Sequence, residues 1–294
     1  MKGKQHLKEK IIKNIFFLSS LTSIFFLLGI SFILFKEGLP LFREIDLKSF
    51  LWGKSWYPTY NPPEFGLLPL ILGTLWVTLG ALIIAVPLGI SAAIYISELA
   101  PPKIKDYLKL AIEMLTSIPS VIYGFLGIVV LGPWLQNLLN LSIGLCSLTA
   151  SLLLALMAIP TIASISEEAL FSVPKDYKEA SYALGATKWE TIAQVTVPAA
   201  FSGINTAVLL GMGRVIGETM TVLMVAGGAA IIPHSFLQPV RTITATIALE
   251  MGETVVGSNH YYALFAIACV LFIISLTLNL SADYFLNKFR RISR

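Results

Sequence analysis

Two ionisable side chains interrupt an apolar run that extends from Gly203 to Ile232, in the stretch Gly211-Met212-Gly213-Arg214-Val215-Ile216-Gly217-Glu218-Thr219-Met220. At a spacing of i and i+4, Arg214 and Glu218 fall on one face of a helix and can pair, which lowers the cost of burying them without abolishing it. A guanidinium keeps its charge and presents a fork of donors matched to phosphate or sulfate oxygens. One reading makes the pair a structural clasp that fixes helix register. The other makes Arg214 an anion-contacting group, with Glu218 tuning it and receiving it when the anion departs. Glycines at 211, 213 and 217 thin the helix there, and Thr219 adjoins the pair.

A second polar stretch, Ser117-Ile118-Pro119-Ser120-Val121-Ile122-Tyr123-Gly124, sets the hydroxyls of Ser117, Ser120 and Tyr123 in an otherwise apolar segment. Polar groups in lipid need partners, so this face turns inward, either to line a pore or to hydrogen-bond neighbouring helices. A third stretch carries Lys175, Asp176, Lys178, Glu179, Lys188 and Glu190 between two apolar runs. Charges cost a few kcal/mol or more at a bilayer centre, so this segment lies in water or against protein. Its order is Glu179-Ala180-Ser181, three residues, Gly185-Ala186, and then Val195-Thr196-Val197-Pro198.

The elements that must hold these groups are membrane spans. A chain of 294 residues that is 56% hydrophobic and 13% charged falls outside soluble composition. Runs of about 20 apolar residues cross a bilayer core. Six are expected, near 15–35, 69–97, 111–132, 146–166, 199–228 and 261–286. The runs lack the alternation of barrel strands, which makes the protein an all-α polytopic membrane protein. With the N-terminus inside, the cytoplasmic flanks hold 15 of the 21 Lys and Arg residues and the outer flanks five, Arg214 being the remaining one. Both termini are therefore expected in the cytoplasm. The positive balance is a topology signal, so nucleic acid is not an expected partner.

Other features carry less. The first run is longer than a signal-peptide core and lacks a small-x-small cleavage site. Cys146 and Cys269 are too few and too far apart for a metal motif, and His234 and His260 have no ligand-like spacing, so both histidines are expected to be solvated. Gly53-Lys54-Ser55 lacks the upstream glycine of a nucleotide-binding loop. Trp52, Trp56, Tyr57 and Tyr60 mark the outer loop 36–68 as interfacial or as a docking surface. Span two, with Gly73, Gly80, Pro87 and Gly89, reads as an interior, kinked helix stopped by Pro101-Pro102. Glu98 and Glu113 are read as cytoplasmic end residues without a special role. Residues 229–260, with the run 242–249 too short to cross, read as a re-entrant or surface helix.

The Glu-Ala-Ser…Gly…Val-x-Val-Pro spacing resembles the EAA loop of bacterial ABC importer permeases, with Ser181 in place of the second alanine. Phe65-Gly66-Leu67-Leu68-Pro69, Ile118 to Gly124, Gly217-Glu218-Thr219-Met220 and Arg241-Thr242-Ile243-Thr244-Ala245-Thr246-Ile247-Ala248 extend the resemblance to the PstC-type phosphate permease subunits. That resemblance implies a type I ABC importer permease fold. Its domains would be 1–68 (tail, first span and outer loop) and 69–294 (permease core), with a coupling loop near 172–198. It implies docking of a cytoplasmic ATPase dimer through Glu179, Ala180, Ser181, Gly185, Ala186 and Pro198. It also implies a second, PstA-like permease subunit, an extracytoplasmic phosphate-binding protein, and a setting in membrane lipid, the cytoplasmic membrane of a bacterium or archaeon. The chain itself would hold no cofactor and no metal and would not be an enzyme, ATP and Mg²⁺ being bound by the ATPase. The substrate pathway would comprise Arg214, Glu218, Thr219, Ser117, Ser120 and Tyr123. Competing readings are a permease for molybdate or sulfate, and an ion-coupled secondary transporter.

Overall fold

The computed structural model describes residues 2–292, with side chains at positions 10 and 12–281. Several terminal basic residues that support the expected orientation, Lys2, Lys4, Lys8, Lys288, Arg290, Arg291 and Arg294, lie outside the described side chains. Among the described residues six helical stretches are long and apolar enough to cross a membrane: Ile12–Arg43, Leu68–Leu99, Ser120–Leu139, Ser147–Phe171, Lys188–Gly217 and Asn259–Ser281.

In chain order, α1 (Lys2–Gly38) is followed by α2 (Leu47–Trp52) and a small antiparallel ladder, β1 (Trp56–Tyr57) with β2 (Glu64–Phe65), in which Trp56 faces Phe65. Then come α3 (Leu68–Ile94), α4 (Pro102–Thr116), α5 (Ser120–Leu126), α6 (Gly132–Leu139) and α7 (Ser147–Phe171). The chain continues through α8 (Lys175–Ala183), α9 (Lys188–Thr191), α10 (Val197–Gly217), α11 (Met220–Val225), α12 (Ile243–Glu250) and α13 (Asn259–Ile292). Three π-helical turns, Tyr95–Leu99, Gly127–Leu131 and Ile192–Thr196, extend α3, join α5 to α6 and join α9 to α10.

The centre of the molecule is the packing of α3 on α7. Val77, Ala81 and Ala85 of α3 and Ala150, Leu154, Ala158 and Ile162 of α7 recur at i+4 and are buried together. Lipid gives no hydrophobic drive to helix association, so close approach through small residues supplies the dispersion contacts. Gly80 lies against Ser151, whose hydroxyl donates within α7 and also lies 3.2 Å from the Val77 carbonyl, and Gly89 lies against Ile162. The amino end of α7 is buried, and its loose amides are satisfied by the chain beyond span five: Ser147 N donates to Gln238 O at 3.0 Å and Leu148 N to Phe236 O at 2.7 Å. The 229–260 segment is thus a cap folded back onto the outer ends of the spans. Its helix α12 is fixed to α3 by the Ile243 amide, which donates to Thr74 Oγ1 at 3.0 Å.

Four expectations are corrected. The third span does not begin near 111; it begins at Ser120, because Pro119 stops the preceding helix at Ser117, and Pro102–Thr116 is a separate amphipathic helix with no buried residue. The fifth span ends at Gly217 rather than near 228, because Glu218 takes an extended conformation (φ −69°, ψ 128°). Trp56 is 1% exposed and packs in the outer core with Leu41, Phe50 and Phe65, whereas Trp52 and Tyr60 are exposed as expected of interfacial residues. His260 is not simply solvated: its Nε2 lies 2.8 Å from Glu250 Oε2.

A Cβ at Gly73 would sit 2.5 Å from the Arg241 carbonyl oxygen, a backbone atom held by the α12 junction. Gly73→Ala is expected to cost about 1–3 kcal/mol by overpacking and to lower the thermal midpoint of the detergent-purified protein. Gly29→Ala, at a site open on all sides, serves as the unaffected control.

Candidate functional site

Arg214 lies in the last turn of α10, half-buried, and its Nη1 donates to Thr161 Oγ1 of α7 at 3.2 Å. At about 1.5 Å rise per residue, Thr161 is about 15 Å from the Phe171 end of α7 and about 21 Å from the Ser147 end, so the guanidinium stands near mid-membrane depth. Glu218, expected on the same helical face, is turned away by the break. Its carboxylate accepts from the Thr221 amide at 3.2 Å, capping the start of α11, and its carbonyl accepts from Thr244 Oγ1 at 2.9 Å. Among the described residues no ion pair joins Arg214 to Glu218. The i,i+4 clasp is therefore absent. Glycine before the glutamate weakens the helix, and the polar groups of Thr221 and Thr244 satisfy the backbone that the break sets loose.

Thr219 bridges α10 and α11, its hydroxyl 3.3 Å from the Gly217 carbonyl. α11 packs on α5, where Thr221 Oγ1 donates to the Ser120 carbonyl at 3.0 Å and Met224 fills the space beside Gly124. Ser120 thus joins the region of the break. Ser117 does so less directly, because its exposed hydroxyl donates to the Met114 carbonyl at 2.7 Å. Tyr123 is 2% exposed, packs in the central core and donates its hydroxyl to the Leu115 carbonyl at 3.2 Å, so it braces the break between α4 and α5 instead of facing an opening. A Cβ at Gly213 or Gly217 would meet nothing, which leaves the helix surface beside Arg214 open.

The charged segment between spans four and five forms two short helices. Gly185 adopts φ +83° after α8; its amide donates to the Tyr182 carbonyl at 2.9 Å and the Ala186 amide to the Ser181 carbonyl at 3.2 Å, a Schellman closure that glycine permits without strain. Thr187 and Glu190 form a reciprocal capping box at the start of α9, and Ser181 Oγ meets Thr191 Oγ1 at 2.9 Å. α8 buries nothing. Glu179 and Ala180 are exposed on it, Pro198 is exposed at the start of α10, and Leu184 (90% exposed), Trp189, Tyr177 and Tyr182 add apolar surface to a polar segment. Large apolar side chains left bare in a water-facing loop mark a protein-docking surface.

Three carboxylates are more important than their sequence context suggested. Glu98, at the end of span two, pairs with Lys178 of α8 at 2.6 Å. Glu167, 3% exposed within α7, holds Lys105 and Lys109 of α4 at 3.0 and 2.7 Å, with Phe171 under both ammonium groups. Glu250 collects Trp56 Nε1, Arg241 and His260 on the outer side. The available signal was an acid in apolar sequence with basic residues elsewhere on the same side. The lysines that pair with Glu98 and Glu167 are distant in the chain and could not be assigned.

A polar break beside a mid-depth arginine, within a bundle of membrane-length apolar helices, suits a transport permease. The sequence profile described as binding-protein-dependent transport system inner membrane component matches residues 85–291, and the chain belongs to that family. It is a multi-pass inner-membrane permease subunit and not an enzyme. It is 42% identical over 249 residues (84% of this chain, 81% of the relative) to the probable ABC transporter permease protein YqgH of Bacillus subtilis. It is 38% identical over 257 residues (81% and 78%) to the phosphate transport system permease protein PstC of Mesorhizobium japonicum, and 39% over 247 residues (77% and 77%) to that of Haemophilus influenzae. Among solved structures, a chain of the bacterial alginate ABC transporter in complex with its pentasaccharide-bound periplasmic protein superposes with TM-score 0.66 at 15% identity, covering 95% of this chain and 97% of that one. A chain of the inward-facing MetNI methionine transporter superposes with TM-score 0.56 at 20% identity, covering 76% and 94%. The fold is that of type I ABC importer permeases.

Gly185→Val places a β-branched residue at φ +83°, which costs about 1–2 kcal/mol. Amide exchange over residues 184–187 is expected to quicken about tenfold by mass spectrometry, while exchange in α7 stays unchanged.

Proposed function

We propose that this chain is a permease subunit of an ATP-driven importer of inorganic phosphate, forming half of the translocation pathway and docking a separate ATPase through α8 and α9. The observation that carries the substrate reading is Arg214, a permanent cation near mid-depth whose described partner is the neutral hydroxyl of Thr161. An intramembrane charge left without a counter-charge is costly unless water or an anion reaches it, and guanidinium matches a tetrahedral oxyanion. The PstC relatives give the anion its identity. Arg214 contacts phosphate directly, and Thr161 holds the guanidinium in place between transport events and offers a hydroxyl of its own. Glu218 acts on the backbone: by capping α11 and anchoring to Thr244 it keeps the break, and hence the last turn of α10, in one geometry.

ATP and Mg²⁺ belong to the ATPase dimer, a PstA-like subunit completes the pathway against the open surface around Gly213 and Gly217, and an extracytoplasmic phosphate-binding protein delivers substrate to the outer cap. Both termini lie in the cytoplasm, consistent with exposed Lys10 and Lys13 at the start of the first span.

The test is uptake of radiolabelled phosphate by the complete importer in proteoliposomes. Arg214→Ala removes a charge-assisted contact and should lower uptake about 10- to 100-fold while the ATPase still co-purifies; Arg214→Lys, a point charge without the fork, should recover part of it. Wild-type rates in Arg214→Ala would refute the assigned contact. Leu184→Asp should release the ATPase from the purified complex, and uptake should require ATP even under an imposed proton gradient.

A further inference from the structure

The docking loop reaches the spans by two routes of different kinds. Spans four and five follow the loop because the chain is continuous, from α7 through residues 172–174 into α8 and from α9 through the π-helical turn Ile192–Thr196 into α10. Span two has no covalent link to the loop. Beside a buried apolar cluster that Ala93 shares with Val173, α8 is joined to it by the ion pair between Lys178 Nζ and Glu98 Oε1, 2.6 Å apart and 80 residues distant in sequence. α8 buries no residue, and its other described side-chain tie, Ser181 to Thr191, stays within the loop. Glu98 is set for the task. Its side chain is 9% exposed, Ser97 Oγ lies 3.3 Å from the same carboxylate oxygen, and it stands in the π-helical turn Tyr95–Leu99, immediately before the Pro101-Pro102 stop. π-helical turns are locally wide and deformable and recur at functional positions.

Span two is packed along its length on span four, which carries Thr161, whereas span five carries Arg214. A displacement of the loop that reached only spans four and five would slide them past span two, which is packed along span four. We propose that the Lys178–Glu98 pair is the positioning contact through which the docking loop moves span two in concert with spans four and five. A short charge-assisted bond to a largely buried carboxylate resists separation, because parting the two leaves Glu98 desolvated and unpaired. The inference rests on the reading of α8 as the ATPase-docking surface and adds to it the path by which that surface drives a span to which the chain does not join it.

The experiment measures phosphate uptake and ATP hydrolysis together in proteoliposomes containing the complete importer, with the wild-type complex as reference. Glu98→Gln and Lys178→Met should each retain the ATPase and hydrolyse ATP, yet move about fivefold less phosphate per ATP, in the range of ordinary coupling energies. The charge-swapped double variant E98K/K178E should restore the ratio to within about twofold of wild type, which a merely structural defect would not do. A wild-type ratio in the single variants, or a swap no better than the singles, overturns the proposal. Loss of the ATPase from the single variants also overturns it, since the pair would then only shape the docking surface. Retention of the ATPase by Leu184→Asp strikes instead at the docking reading itself, and absence of phosphate uptake by the wild-type complex strikes at the substrate.

Discussion

A helix that stops inside a bilayer leaves amides and carbonyls that lipid cannot satisfy, and the architecture around Arg214 is organised by that constraint. α10 ends at Gly217, and within two residues the chain turns into α11. Groups at the break find partners, one of them local and two drawn from elsewhere in the fold. The Thr221 amide takes the Glu218 carboxylate, the Glu218 carbonyl takes the Thr244 hydroxyl, and the Thr221 hydroxyl takes the Ser120 carbonyl. Three segments that share no sequence proximity, α5, α10–α11 and α12, are thereby held to one point. The glutamate that looked like an electrostatic partner of the arginine is first of all a backbone device, and that leaves the guanidinium with a hydroxyl rather than a carboxylate.

The same logic extends to the outer face. The cap that satisfies the buried amino end of α7 also delivers Arg241 to Glu250, where Trp56 from the outer loop and His260 from the start of α13 converge. Arg241 Nε in addition donates to the Gly228 carbonyl at 2.8 Å, holding the two positive-φ glycines 227 and 228 at the rim of the cap. A force applied to the outer loop therefore passes through Glu250 to α12 and on to Thr244, one hydrogen bond from the break. The cytoplasmic ion pairs serve span two and α4 in the same manner, through Glu98 and Glu167.

Much of this was legible in the residues and some was not, for definable reasons. Span number and the polar, helix-forming character of the segment between spans four and five follow from run length and charge cost, both of which are local. The end of span five was misplaced because apolar character continues through α11, and hydropathy does not register a change of backbone direction. Pro119 falls inside the run 111–132 expected to be one span, yet it ends a helix, since proline disfavours the α region for the residue before it. Residue type alone reads Trp56 as interfacial or as part of a docking surface, whereas its indole NH is used by a carboxylate 194 residues away. Pairings across such distances depend on tertiary structure, and a single sequence does not carry them.

The first span is attached differently from the others. Its large apolar side chains are exposed from Ile15 to Ile33, and among the described residues it meets α13 toward its far end, where Phe35 packs edge-on against Phe272 and Gly38 lies against the backbone of Ala266 and the Cys269 sulfur. The matched family region begins only at residue 85. Most of α1 is thus free to drift among apolar side chains without disturbing the transport machinery, and the stereochemical demand on it narrows to a single hydrogen-sized side chain at the point where the helix meets its neighbour.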